Sequence, residues 1–325
     1  MTGQSPNFQT HAFDRQLNVA VLMGGIGPER QVSLQSGRCV AQALREAGLN
    51  VTTADITPDN MEILDDSDID VFFVALHGQF GEDGRLQKIL EDKGLVYTGS
   101  GPTASRLAFD KLASKKLFAQ AGIAVPEVIE FTPDTAPSRL DRDILRLGDL
   151  FVVKPVAQGS SVGVSIVSGP QQAVSAARKT WEQFGNCMIE RYIAGRELTV
   201  GILSGRELPI IEIKSRTGFY DYHAKYVDDQ TEYLFDTIED DCLVAGISQA
   251  ALNCFDSLGC RDFARVDFIL GDDGVPYVLE VNTIPGFTNH SLLPKAAAKA
   301  GLSMSNLCLM IVEAALTNAQ SAVRQ

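Results

Sequence analysis

A chain of 325 residues is too long for one ordinary core and predicts two or three packed units. A net charge of -13 argues against general affinity for nucleic acid, which needs clustered Lys and Arg, yet leaves room for a few local lysines around a nucleotide. Six scattered cysteines without a C-x-x-C pair, a polar segment over residues 1–16 and no apolar run near ~20 residues predict a cytoplasmic protein with reduced thiols and no membrane partner.

Residues 17–23 form an apolar run ending in Gly24-Gly25 and read as a buried strand feeding a turn. Residues 32–47 have helical spacing, 50–56 alternate, 70–76 are a second buried strand ending at His77-Gly78, 85–92 a helix and 95–97 a short strand. Strands alternating with helices predict a parallel sheet covered on both faces, a Rossmann-like unit over 17–104 behind the tail 1–16. Ligands of such sheets sit beyond the carboxyl ends of strands, where Glu29 and His77 lie. Residues 105–120 read as one helix closed by Gly122. Strand-like pieces at 124–131, 150–154, 162–167, 187–193 and 198–203, with a helix at 171–184, predict a central α+β unit over 105–204. A C-terminal α+β unit over 205–325 holds a polar loop (215–233), a helix (244–258), a hairpin (263–282) and a terminal helix (303–316).

Gly25-Ile26-Gly27-Pro28-Glu29-Arg30 begins like a dinucleotide fingerprint, but Arg30 replaces the third glycine, so NAD is not expected. Glu29 at this strand-to-helix turn suits an amine; a solvated glutamate favoured by the helix dipole is the plainer alternative. Gly159-Ser160-Ser161-Val162-Gly163 matches a nucleophile elbow, yet strand residues rather than a helix follow, which rules out a serine hydrolase. Such a loop is either an anion nest over phosphate oxygens or a flexible turn. Lys154-Pro155, just before it, offers an ammonium to a phosphate, and no Walker motif is present.

In the hairpin, a two-residue turn at 272–273 or 273–274 puts Arg265, Asp267, Glu280 and Asn282 on one face, with Val266, Phe268, Leu279 and Val281 on the other. Two carboxylates and an amide converging there suit Mg²⁺ carrying substrate phosphates; a solvated face with an Arg265–Glu280 pair is the alternative. Adjacent carboxylates favour the metal. Ser291-Leu292 then opens a helix whose N–H groups suit a carboxylate, unless Ser291 is simply its N-cap. His11 and His223 carry no site signal, whereas His77 ends a buried strand and is a site candidate.

Together, residues 24–37, 75–84, 109–115, 154–164, 189–200, 224–233, 265–268 and 279–294 resemble the D-alanine–D-alanine ligase family of the ATP-grasp superfamily, over nearly the whole chain. The resemblance implies an ATP-grasp fold. It also implies ligation of two D-alanine molecules through a D-alanyl phosphate, with ATP as co-substrate, two Mg²⁺ ions (Mn²⁺ substituting) and a homodimer. By position it implies that Lys111 and Lys154 hold ATP phosphates under the loop bearing Ser161. Glu190 and the Ile193 backbone would read adenine, and Glu197 the ribose. Asp267, Glu280 and Asn282 would bind metal. Glu29, with His77 and Ser160, would take the first D-alanine, while Arg265 and the Gly286 backbone stabilise the oxyanion. Ser291, Leu292 and Lys225 would hold the second substrate's carboxylate, and Tyr226 resembles the residue associated with D-alanine rather than D-lactate. Ile26-Gly27-Pro28 and Val156-Ala157-Gln158 depart from the usual pattern.

Overall fold

The computed structural model describes residues 13, 15–135, 137–215 and 231–323. Lys225, Tyr226, His11, His223 and most of loop 215–233 lie outside the described residues.

The N-terminal unit is a parallel three-stranded sheet in the order β2-β1-β3, made of β1 (Asn18–Gly24), β2 (Asn50–Ile56) and β3 (Val71–Val74). Helix α1 (Arg30–Glu46) connects β1 to β2 and buries Val32, Val40 and Leu44 against the sheet. Arg30 clamps the turn before it by two hydrogen bonds to Asp55, at 2.7 and 2.6 Å. Helix α2 (Arg85–Asp92) follows as expected, but the strand expected at 95–97 is reduced to a single bridge between Phe72 and Tyr97.

The helix expected over 105–120 is two: α3 (Pro102–Phe109) and α4 (Lys111–Gln120). Asp110 leaves the helical region at ψ 97°, and its carboxylate accepts the N–H groups of Leu112 and Ala113, which starts a new helix. Lys111 thereby becomes its first residue.

The second sheet is antiparallel, β4-β7-β5-β6, from β4 (Val128–Phe131), β5 (Leu150–Pro155), β6 (Ser165–Ser168) and β7 (Cys187–Arg191). Its strand β6 starts later than expected, because Ser160, Ser161 and Gly163 all have positive φ and cannot continue a ladder. Helix α6 (Pro170–Phe184) packs on this sheet. So does α5 (Pro137–Leu147), which had not been foreseen although Leu140, Ile144 and Leu147 carry the helical period and are buried.

The third sheet has six strands, β11-β10-β8-β12-β13 with β9 on β8. These are β8 (Gly195–Leu203), β9 (Arg206–Glu207), β10 (Ile211–Lys214), β11 (Glu232–Phe235), β12 (Phe263–Gly271) and β13 (Pro276–Asn282). Residues 198–203, expected in the central unit, therefore sit in the middle of the C-terminal sheet, paired with β12. The expected boundary at 204/205 separates strands that pair in one sheet. Helix α7 (Asp241–Leu258) covers one face, and α8 (Leu292–Lys299) with α9 (Met304–Val323) pack toward the N-terminal sheet.

The hairpin tip is corrected in detail. Gly271 N–H donates to Val275 O at 2.9 Å and Gly274 N–H to Gly271 O at 2.8 Å, so Asp272, Asp273 and Gly274 form a three-residue loop. A bulge between Asp267 and Phe268 absorbs the extra residue: Phe268 pairs with Val278, while Asp267 pairs with Glu280 and Arg265 with Asn282. The polar face stands as expected, but Leu279 turns to the cleft and Val278 takes its place in the core.

Candidate active site

Two chambers meet at Glu280. The larger, of about 480 Å³, lies between the second and third sheets; the smaller, of about 60 Å³, lies where the N-terminal unit meets the hairpin. Lys111, Lys154, Ser161, Glu190, Ile193 and Glu197 all line the larger chamber, together with Asp267 and Glu280. Glu29, His77, Ser160, Arg265 and Asn282 line the smaller, with Gly286, Ser291 and Leu292. The residues expected at ATP thus line one chamber and those expected at substrate the other, the expected metal set is split between them, and Lys225 and Tyr226 lie outside the described residues.

In the larger chamber, Glu190 on β7 is gripped from two sides: Lys115 lies 2.8 Å from one carboxylate oxygen and Lys154 2.7 Å from the other. Burial pushes the Glu190 carboxyl upward, but the two lysines outweigh it and hold the group below its ordinary value. Lys115, only 1% exposed, is pulled down to about 8, first by burial. Lys111 reaches Gln158 O at 2.6 Å and Glu280 at 3.1 Å.

On the hairpin face, Arg265 donates twice to Asp267, each at 2.8 Å, and Thr199 Oγ1 donates to the same carboxylate at 2.6 Å. Asn282 Nδ2 donates to Asp267 at 3.2 Å. Two carboxylates from neighbouring strands plus an amide, ringed by cationic side chains, fit a divalent ion whose remaining positions are filled by phosphate oxygens and water. The described residues contain no cluster of three His, Cys, Asp or Glu able to cage a metal unaided.

In the smaller chamber, Glu29 is 6% exposed, which removes the solvated alternative, and Ser160 Oγ donates to it. Ser160 and Ser161 sit at φ 51° and 58°, a strained conformation that aims the Ser160 hydroxyl inward. A Cβ at Gly78 would fall 2.3 Å from the Glu29 carboxylate, so that close approach requires glycine. Ser291 stands at the N-cap position of α8, but its hydroxyl caps no helical N–H and accepts Thr288 N–H at 2.9 Å instead. Sequence reasoning missed Glu82, also buried here, whose carboxyl is pushed up to about 8, first by burial and then by Glu29. Ser36, Lys115 and Thr199 were missed as well, being ordinary residues within an apolar helix face or strand.

Comparison with known proteins decides the family. The D-ala D-ala ligase C-terminus family matches residues 117–313 and its N-terminus counterpart residues 60–100. A D-alanine--D-alanine ligase of Syntrophotalea carbinolica is 43% identical over 303 residues, covering 93% of this chain and 97% of that protein. The chain belongs to the D-alanine–D-alanine ligase family. The Bacillus anthracis D-alanine--D-alanine ligase complexed with ATP superposes with a TM-score of 0.80 at 35% identity, covering 94% of this chain and 99% of that one. The VanG D-Ala:D-Ser ligase of Enterococcus faecalis gives 0.80 at 28% identity, covering 93% and 100%. The fold is that of these ATP-grasp ligases, and the larger chamber lies between the two sheets that define the grasp. Among the described residues, no single helix is long and apolar enough to cross a membrane.

Proposed function

We propose that the chain joins two D-alanine molecules, with ATP converting the first carboxylate to a D-alanyl phosphate that the amine of the second attacks. The single observation that carries this reading is the pair of chambers meeting at Glu280, one lined by lysines and the other by an anionic pocket. In the larger, Lys111 and Lys154 would neutralise the phosphates, with the Ser161 loop above them, Glu190 and Ile193 toward the base and Glu197 toward the ribose. In the smaller, Glu29 would receive the first ammonium, oriented by Ser160 and bordered by His77.

Asp267, Glu280 and Asn282 would hold two Mg²⁺ ions, with Mn²⁺ as a substitute. Such ions screen the charge spread over the transferring phosphoryl group. Arg265 and the Gly286 backbone N–H would stabilise the tetrahedral oxyanion, each good donor contributing ~3 kcal/mol. The start of α8 at Ser291 and Leu292 would take the second carboxylate, assisted by Lys225, and Tyr226 would favour an amine over a hydroxyl acceptor. The family's expected homodimer is read from solution mass. Use of ATP, with six cysteines that are all free, supports a cytoplasmic site of action.

The test supplies purified protein with ATP, Mg²⁺ and D-alanine, and follows phosphate release together with dipeptide formation. Parallel assays offer D-serine or D-lactate as acceptor. D-alanyl-D-alanine as main product supports the reading; intact ATP, or preference for either other acceptor, overturns it.

A further inference from the structure

We propose that Ser36 is a positioning residue for acyl transfer: with a neutral His77 it forms a directed hydrogen-bond chain that sets the backbone at Gly286–Phe287. The inference rests on the function proposed above and concerns how its oxyanion site is held.

The direction of each bond follows from its partners. His77 Nδ1 lies 2.9 Å from Ile284 O, a carbonyl that only accepts, so the ring proton sits on Nδ1. Burial, assisted by the nearby Arg265 charge, pulls the His77 pKa down to about 4, leaving the ring neutral and Nε2 a lone-pair acceptor. Ser36 Oγ, 3.0 Å from Nε2, therefore donates its hydroxyl proton to the ring. The same oxygen accepts Phe287 N–H at 3.2 Å. The chain runs from the loop into α1, across to the segment that follows β3 and back to the loop, and each member has a forced role.

Two further contacts make the loop rigid. The Phe287 ring is wedged edge-on between Phe73 and Phe263, with centroids 5.5 Å from each. Gly286 is pressed so closely on Ser291 that a Cβ there would fall 2.6 Å from its hydroxyl. The ring contacts fix where the loop sits, and the Ser36 bond fixes how the peptide between Gly286 and Phe287 is rotated. His77 borders the substrate chamber but has no N–H left for a substrate, so it acts as a strut and not as a proton donor.

The first test is nitrogen NMR of the ¹⁵N-histidine-labelled, unsubstituted protein, with His77→Gln to assign the signal. Near neutral pH the expected pattern is a pyrrole-type Nδ1 and a pyridine-type Nε2. The reverse tautomer, or a doubly protonated ring, overturns the proposal. The second is Ser36→Ala, expected to lower kcat for dipeptide formation by about 10- to 100-fold while KM for ATP moves less than about twofold. In a His77→Asn background, which keeps an N–H for Ile284 O but removes the hydroxyl's acceptor, the same change should cost less than about threefold. An unchanged kcat, or the full loss in both backgrounds, overturns the proposal. Should Ser36→Ala fail to fold, the tautomer still decides. Absence of dipeptide synthesis by the unsubstituted protein would instead count against the proposed function and leave the NMR result standing.

Discussion

Replacing Glu82 by glutamine should stabilise the protein, and increasingly so as pH rises. Glu82 is buried, accepts Gly78 N–H at 2.6 Å and faces the buried Glu29 carboxylate. Its carboxyl is raised from 4.5 to about 8, so between those values the folded chain keeps a proton that the unfolded chain has released. Stability contributed by the neutral acid is complete at low pH and is lost progressively as pH climbs through about 8. A rise of that size corresponds to at most ~5 kcal/mol, and relaxation around the ionised pair would reduce it to roughly 2–3 kcal/mol. Glutamine retains an acceptor for Gly78 and never ionises, so its advantage should grow across the range and be smallest near pH 5. Urea unfolding of both proteins at pH 5, 7 and 9 reads the difference directly. Parallel stability profiles, or an unsubstituted protein that gains on the variant at high pH, would refute the reasoning.

Glu280→Ala removes the carboxylate shared by both chambers and should cut phosphate release at least ~100-fold with the fold intact; ordinary turnover would sink the metal assignment. Lys115→Met leaves Lys154 to balance Glu190, so we expect a loss of roughly 2–3 kcal/mol in denaturant unfolding and a raised KM for ATP. An unchanged KM would show that Lys154 is not drawn away from the nucleotide. Asp110→Ala deletes the cap of α4 and should cost ~1 kcal/mol, a Tm drop of about 1–2 °C by calorimetry, with a modest rise in KM for ATP through Lys111.

Sequence patterns were most legible where period and turn chemistry agreed. The apolar run before Gly24-Gly25 and the helix stopping at Gly48 predict β1 and α1 almost to the residue. Alternation placed Arg265 with Asp267 and Glu280 with Asn282, but the two pairs share one face only because the bulge offsets the unexpected three-residue tip. What escaped depends on tertiary pairing. Whether residues 198–203 join the second or third sheet is settled by β12 lying beside them, some sixty residues further on. Asp110 reads as an interior helix residue until its side chain is seen to cap. Lys115 and Ser36 act through buried partners distant in the chain, Glu190 and His77, and no local spacing announces them.

The bulge in the hairpin carries a consequence for variation. Were the same residues paired without the bulge at Leu279, the three-residue tip would set Asp267 opposite Leu279 and turn Glu280 and Asn282 toward the apolar core. Parity along β13 is thus decided by a side chain with no charge and no donor. The kink, and not the tip, therefore decides which side chains of β13 stand beside Asp267. Loop grafts at 272–274 that keep the count at three residues should leave catalysis intact, while a one-residue graft error would silence it from a distance.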